Sequence, residues 1–145
     1  MKLLIINGPN INFIGIREKG IYGNESYEDI CKRLYAYAEE KGINLEIWQS
    51  NHEGAIIDKI QSIYGTDVKG VVINPGAYTH YSYAIADAIK SVDIPFVEMH
   101  LSDINSREDF RKISVTKPAC VAQISGRGAN GYFMGLDMLI GGEYK

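Results

Sequence analysis

Residues 2–23 of the chain are KLLIINGPNINFIGIREKGIYG, and this stretch predicts a buried strand followed by a functional loop. The run from Lys2 to Ile6, bounded by Asn-Gly-Pro, is typical of a parallel strand that is buried on both faces. The segment from Asn7 to Gly23 has neither a helical nor a strand period, and loops of this length in compact domains are usually functional or disordered. Because apolar residues recur along it, we expect an ordered lid with glycine hinges over a site.

The rest of the chain alternates between predicted helices and strands. A capping-box-like start at Ser26-Tyr-Glu-Asp29 predicts a helix that ends at Gly42. The hydrophobic spacing that follows predicts strands over residues 43–49, 70–73, 95–99 and 119–124, helices over 51–64 (capped by Asn51) and 83–92, a short helix capped by Ser106, and a last helix that ends near Gly141.

Alternation of strands and helices with short connections indicates an α/β fold, in which helices cover both faces of a parallel sheet. The length suits a single catalytic domain over residues 1–145. Periodicity leaves the strand order open, and we favour the flavodoxin-like three-layer sandwich, whose five strands have the order 2-1-3-4-5. Ligands of such sheets bind beyond the carboxyl ends of the strands, where the order reverses between strands 1 and 3.

Charge and composition argue against several classes of partner. The net charge is −3, whereas a nucleic-acid-binding protein needs a basic face for the phosphates. No apolar run approaches the ~18 residues that a membrane span requires. Met1-Lys2 leads directly into a strand rather than a signal peptide, so we expect a cytoplasmic protein. Cys31 and Cys120 lack metal-ligand spacing and are expected to be reduced packing residues, in a helix and a strand respectively.

Polar side chains follow the predicted strands 1, 3 and 4, whose carboxyl ends should converge on one crevice. They include no nucleophile elbow, no Walker lysine and no metal triad, but they suit proton transfer on a small anionic molecule. Arginines can hold a carboxylate, and a histidine can exchange a proton near neutral pH. The candidates are Asn10, Arg17 and Tyr22 after strand 1, Asn74 and His80 after strand 3, and Glu98, His100, Ser102, Arg107 and Arg111 at and after strand 4.

Tyr22 can act as a base only if its phenol is made more acidic. Lowering its pKa from ~10 to ~7 requires about 4 kcal/mol of preferential stabilisation of the phenolate. Arg17 lies five positions earlier in the same loop, and a guanidinium held close in a site without water can supply that energy. Arg17 would then activate Tyr22.

These candidates also have plainer interpretations. Tyr22 is one of ten tyrosines, and His80 suits a polar position at a helix start. Arg107 and Arg111 are one helical turn apart, which is typical of a solvated pair, and this interpretation is favoured for Arg107. Clustering in loops that should meet favours function, most clearly for His100 beyond its buried strand.

Several sequence motifs occur along the chain in a specific order. They are Asn7-Gly-Pro-Asn-Ile-Asn12 with Gly15, Arg17-Glu18, Ile21-Tyr-Gly23, Gln49-Ser-Asn-His-Glu-Gly54, Asn74-Pro-Gly-Ala-Tyr-Thr-His80, Glu98-Met-His-Leu-Ser102 and Arg107-Glu-Asp-Phe-Arg111. Over nearly its whole length the chain thereby resembles the type II 3-dehydroquinate dehydratases. The resemblance implies a flavodoxin-like hydro-lyase of the shikimate pathway with no metal and no organic cofactor. It also implies a homododecamer built as a tetramer of trimers.

The resemblance also implies catalytic roles for five residues. Tyr22 is similar in position to the base that removes a proton from C2 of 3-dehydroquinate, and Arg17 to its activator. His100 resembles the acid that protonates the departing C1 hydroxyl in an anti elimination, with Glu98 orienting it. Asn10 would hold the water that stabilises the enolate oxygen.

Further positions match the substrate contacts of that family. The backbone amides of Leu101 and Ser102 would take the carboxylate, which differs from the arginine grip that chemistry alone favours. Asp87 resembles a residue that reaches the site from a neighbouring subunit. The remaining matches are Asn74, His80 and Arg111.

Three residues depart from the family pattern. Lys19 stands where proline is usual after Arg-Glu, so we expect a less stiff open lid. Asp103 replaces an asparagine, and we expect its charge to point outward or to pair with a basic group. Arg127 replaces a residue that is commonly apolar. None belongs to the set of Arg17, Tyr22 and His100.

Two other classes of function fit the fold alone. A flavin-binding electron carrier would need a loop rich in Ser, Thr and Gly after strand 1, and Asn7-Gly-Pro-Asn10 has no hydroxyl group. A non-catalytic oligomeric binder would not need Arg17, Tyr22 and His100 together. The dehydratase is therefore the favoured interpretation.

Overall fold

The computed structural model of the protein describes residues 1–16 and 25–144. Five parallel strands form one sheet in the order β2-β1-β3-β4-β5, which confirms the predicted flavodoxin-like α/β fold. The strands are β1 Lys2–Asn7, β2 Asn44–Gln49, β3 Val68–Asn74, β4 Phe96–His100 and β5 Ala122–Ser125.

Within the described residues, four α-helices cover the two faces of this sheet: α1 Tyr27–Lys41, α2 Glu53–Ser62, α3 Tyr83–Val92 and α4 Asn130–Gly141. Leu3 and Ile5 of β1 belong to the apolar cluster with α1 and α4, whereas Leu4 and Ile6 belong to the cluster with α2 and α3. All four side chains are completely buried. The continuous apolar run of β1 is therefore explained by its central position between two layers of helices.

The predicted limits of α1 are confirmed. The Ser26 hydroxyl accepts the backbone N–H of Asp29, and the Asp29 carboxylate accepts that of Ser26, each at 3.1 Å. Gly42 ends the helix at a φ of 70°, in the left-handed region that glycine adopts without steric cost. Among the described residues, no helix has the length and apolar composition needed to cross a bilayer.

The prediction that Asn51 caps the second helix is wrong. The helix begins at Glu53, its N-cap is His52, and it ends at Ser62 rather than at Tyr64. The Asn51 side chain accepts the backbone N–H of Asn10 instead. Sequence spacing could not distinguish a local cap from a contact with a distant loop.

The predicted helix after Ser106 is also wrong. Two separate 3₁₀ turns, Ile104–Ser106 and Asp109–Arg111, occupy this segment, and Asp103 rather than Ser106 accepts the capping N–H. Short polar side chains of this kind compete with the backbone for hydrogen bonds, which favours turns over a continuous helix.

The fifth strand begins three residues later than predicted, at Ala122. Lys117–Ala119 forms a 3₁₀ turn that contains a proline, and Cys120 ends that turn rather than lying in the strand. Cys31 and Cys120 are both free thiols. The thiol prediction holds, but the placement of Cys120 in a strand does not.

Candidate active site

A crevice of about 210 Å³ opens at the carboxyl edge of the sheet, between the loops that follow β1, β3 and β4. This is the point where the strand order reverses, as the topology predicts. The predicted site residues that line it are Asn10, Asn74, His80, His100, Leu101, Ser102 and Arg111.

The loops after β1 and β3 approach each other closely beside this crevice. The backbone N–H of Gly8 donates to the carbonyl of Asn74 at 2.8 Å. A Cβ atom at Gly8 would lie 2.4 Å from the carbonyl oxygen of Pro75, so no other residue fits there without moving the loop. The Asn-Gly-Pro and Asn-Pro-Gly motifs therefore bring the two loops together rather than forming isolated turns.

The side chain of Asn74 is held in one orientation. Its Nδ2 donates to the Tyr132 hydroxyl at 3.2 Å, and its Oδ1 accepts the N–H of Gly76 at 3.2 Å. The Tyr132 hydroxyl donates in turn to Oδ1 of Asn7 at 2.6 Å. Burial raises the pKa of Tyr132, so this phenol remains neutral and acts as both donor and acceptor. The second N–H of Asn74 has no acceptor among the described residues and is free for a ligand.

His80 is oriented by a backbone group of the opposite loop wall. Its Nδ1 lies 2.8 Å from the carbonyl oxygen of Ile113. Because a carbonyl oxygen only accepts, Nδ1 carries the proton and Nε2 is the nitrogen left for a ligand in the crevice.

His100 lies at the end of β4 with only 5% of its surface exposed, and it is held from behind by Glu98, which is 0% exposed. Nε2 of His100 donates to Oε2 of Glu98 at 2.9 Å. This contact leaves Nδ1 as the ring nitrogen available to the crevice. Glu98 thus orients His100 without lining the crevice itself.

Three further side chains donate to the Glu98 carboxylate. The donors are the Ser114 hydroxyl at 2.8 Å, the Gln123 amide at 2.7 Å and the Thr116 hydroxyl. Burial raises the pKa of this carboxyl, but the hydrogen bond and charge of His100, with the bonds from Thr116 and Gln123, lower it overall to about 2. Glu98 is therefore ionised throughout the physiological pH range.

The buried Glu98 carboxylate should make stability depend on pH. Its pKa falls from an ordinary value of 4.5 to about 2 on folding, so its contribution is present above about pH 4.5 and is lost as the pH falls toward about 2. The difference corresponds to about 3 kcal/mol. Glu98→Gln should lose stability near neutral pH, because an amide nitrogen then faces donors, and should lack this part of the acid dependence.

Urea unfolding near pH 7 and near pH 3 measures this difference. Glu39→Gln is the matched control, because Glu39 is exposed on α1 and should behave as the wild type at both pH values. An equal loss of stability on acidification in Glu98→Gln and wild type would contradict the assignment.

Arg107 lines the crevice, although the sequence favoured a solvated role for this candidate. It lines the crevice beside Arg111, and its Nη1 donates to the Ser102 hydroxyl at 3.0 Å. The predicted solvated helix pair does not exist, since Arg107 has an extended backbone between the two 3₁₀ turns. Its position shortly after β4 made it a candidate, and its helical spacing to Arg111 favoured the wrong interpretation.

Asp103 does not line the crevice, which is in line with the expectation from its charge. It is exposed, and its Oδ1 accepts the backbone N–H of Asn105 at 3.0 Å. Arg127 is exposed beyond β5, and Asp87 lies on the exposed side of α3 without lining the crevice. Arg17, Lys19 and Tyr22, whose roles are predicted above, lie with the rest of residues 17–23 of the predicted lid outside the described residues.

Comparison with known proteins points to one family, whose model matches every residue that lines the crevice. The family model described as Dehydroquinase class II matches residues 1–140. The chain is 55% identical over 141 residues to the 3-dehydroquinate dehydratase of Lachnospira eligens, covering 97% of this chain and 96% of the relative. It is 58% identical over 139 residues to that of Clostridium acetobutylicum, covering 96% of both.

Solved structures agree with the sequence relatives. The type II dehydroquinase of Butyrivibrio crossotus is 60% identical, with a TM-score of 0.94 and 97% of each chain covered. A 3-dehydroquinate dehydratase-like protein of Bifidobacterium longum is 27% identical, with a TM-score of 0.70, covering 96% of this chain and 94% of that one. The strands and crevice loops described above all fall within residues 1–140, which the family model matches.

Proposed function

The chain belongs to the class II dehydroquinase family, and from that premise we propose how its crevice carries out the reaction. It is an enzyme that removes water from 3-dehydroquinate to give 3-dehydroshikimate, a step of the shikimate pathway toward chorismate and the aromatic amino acids. The observation that supports this most strongly is the Glu98–His100 pair at the crevice formed by three motif-bearing loops.

The elimination begins at C2 of the substrate, next to the C3 ketone. Tyr22, ionised through Arg17, takes the C2 proton, and the electron pair of the broken C–H bond forms an enolate on the C3 oxygen. A water held by Asn10 stabilises that oxygen. These roles of Arg17 and Tyr22 rest on the sequence. Asn10 is exposed at the crevice, which suits a residue that holds a water beside the substrate.

His100 completes the reaction as the general acid. Its imidazolium gives the Nδ1 proton to the C1 hydroxyl, the C1–O bond breaks, and water leaves as the C1=C2 bond and the C3 ketone form. Nε2 remains bonded to Glu98 at 2.9 Å, and a buried carboxylate stabilises the imidazolium before the proton is given. Base and acid on opposite faces of the substrate give an anti elimination.

The substrate carboxylate is bound at the positive end of the crevice. The backbone N–H groups of Leu101 and Ser102 donate to no other backbone group among the described residues, so both are free for an anion. Arg107 and Arg111 add positive charge at the same wall. Asn74 and His80 bind substrate hydroxyls through the free amide N–H and Nε2 derived above.

We also propose a cytoplasmic homododecamer, arranged as a tetramer of trimers. Asp87 on the exposed side of α3 would reach the crevice of a neighbouring subunit. Light scattering should report twelve times the chain mass, and a monodisperse monomer with full activity would exclude this assembly.

Turnover of 3-dehydroquinate tests the function directly. Purified protein should raise the ultraviolet absorbance of the conjugated enone product when it is given 3-dehydroquinate. Neither a chelator nor borohydride should change the rate, because the proposed route uses no metal and no Schiff base. A preparation that folds but produces no enone would overturn the proposal.

A further inference from the structure

The motif Gln49-Ser-Asn-His-Glu-Gly54 begins at the last residue of β2, at the same edge of the sheet as the crevice. None of its residues lines the crevice, and the reaction proposed above assigns it no role. Its side chains nevertheless contact the two loops that form one side of the site. The motif therefore links the sheet to the loops that follow β1 and β3.

Asn51 joins the loop after β1 to the loop after β3. Its Oδ1 accepts the backbone N–H of Asn10 at 3.1 Å. Its backbone carbonyl accepts the Tyr78 hydroxyl at 2.8 Å, and Tyr78 belongs to the 3₁₀ turn Gly76–His80 beside the crevice. A single residue of the β2 loop therefore holds both neighbouring loops.

Gln49 determines which atom of the Asn51 amide faces Asn10. Its Nε2 lies 2.9 Å from Oδ1 of Asn51, 3.1 Å from the carbonyl oxygen of Gly8 and 3.2 Å from Oδ1 of Asn12. An amide nitrogen only donates, so each of these three atoms is an acceptor and the two N–H groups of Gln49 are shared among them. The Asn51 oxygen is thereby turned toward the Asn10 N–H.

Asn10 adopts a backbone conformation that needs such support. Its φ of 68° and ψ of −2° are in the left-handed region, which is unfavourable for residues other than glycine and is tolerated best by Asn and Asp. In this conformation Asn10 borders the crevice. Without the bond to Asn51, the residue can return to an ordinary φ, and its side chain would leave the position where it meets the substrate.

We propose that Gln49 and Asn51 are positioning residues of the active site. They hold Asn10 in its left-handed conformation, so that its side chain meets the enolate oxygen or the water bound there. They touch no reacting atom themselves. This inference rests on the proposed function, because the effect is expected on the step that forms the enolate.

Replacing each amide by the isosteric acid separates the role of Gln49 as a donor from the role of Asn51 as an acceptor. Asn51→Asp keeps an acceptor toward the Asn10 N–H, and kcat should stay within about threefold of the wild type. Gln49→Glu replaces the donor by a carboxylate that faces three acceptors, and kcat should fall about thirtyfold or more. Asn51→Ala removes the acceptor and should lower kcat about tenfold, equivalent to about 1.4 kcal/mol. KM should change little in each case.

Asn44→Ala is the matched control, since Asn44 is an exposed residue at the opposite end of β2. Its kcat should equal that of the wild type. Thermal unfolding of every variant checks the fold, and Asn51 is exposed, so a stable Asn51→Ala protein is expected.

A double-mutant cycle tests whether Asn51 acts through Asn10. In an Asn10→Ala background, Asn51→Ala should have no further effect on kcat. Additive losses in the double mutant, or an Asn51→Ala enzyme with wild-type kcat, would overturn the positioning role. The proposed function would still stand as long as the wild-type protein turns over 3-dehydroquinate. A wild-type protein without turnover would instead overturn the proposed function itself.

Discussion

Replacement of Tyr22 by phenylalanine is expected to lower kcat about a thousandfold or more while leaving the affinity for the substrate nearly unchanged. The substitution removes only the phenolic oxygen that accepts the C2 proton, and a positioned general base contributes roughly 10²–10⁴-fold to rate. The aromatic ring remains, so little apolar surface is lost and the affinity for the substrate should change little. Steady-state rates and binding by calorimetry measure the two quantities separately.

Arg17→Lys is the companion variant, and it should also lose most of its kcat. An ammonium is a compact, strongly hydrated charge, and it lacks the planar fork of the guanidinium. As a control on the chemistry, Phe13→Leu changes an exposed aromatic residue of the same loop without removing any polar group, and it should retain activity. Near-wild-type turnover by Tyr22→Phe would show that another group is the base.

Replacement of His100 by alanine should lower kcat about a hundredfold to a thousandfold, because the C1 hydroxyl is a poor leaving group unless it receives a proton. The base is still present in this variant, so the enolate should continue to form and collapse. We therefore expect exchange of the C2 hydrogen with deuterated solvent to persist in His100→Ala, followed by NMR, while elimination nearly stops. Tyr22→Phe should block both exchange and elimination.

The cavity left by His100→Ala offers a second test. Its floor is the buried Glu98 carboxylate, which retains its bonds to Ser114, Thr116 and Gln123. Added imidazole should bind there as a cation and restore part of kcat, and His52→Ala, at an exposed helix start without a side-chain cap, should be neither impaired nor rescued. Loss of exchange together with elimination in His100→Ala would contradict the division of roles.

The elements that sequence analysis located correctly depend on local chemistry. Ser26 and Asp29 form the predicted capping box, Gly42 ends α1, and the apolar run of β1 is the central strand. Each signal involves residues close together in the chain, where propensity and hydrogen bonding act directly. The strand order itself was inferred by analogy with a known topology.

Two of the errors involve polar side chains whose hydrogen-bond partner is not the one that the local helical pattern predicts. Asn51 has the composition of a helix cap but binds Asn10, and Arg107 has helical spacing to Arg111 but lies in an extended segment against Ser102. The side chain of a short polar residue can accept a backbone N–H at a nearby helix start or one in a distant loop equally well. Periodicity carries no information about which of the two is present.

By itself, the sequence determined the parallel α/β architecture, the motifs of the dehydratase and the residue types that suit proton transfer. These follow from hydrophobic period and from the functional groups the chain carries. Only the tertiary structure decided that Glu98 is a buried, ionised anchor for His100, that Tyr132 holds Asn74, and that the β2 loop supports Asn10. The reason is physical: a pKa and a hydrogen-bond partner depend on burial and on neighbours that are far apart in sequence, and these exist only once the chain has folded.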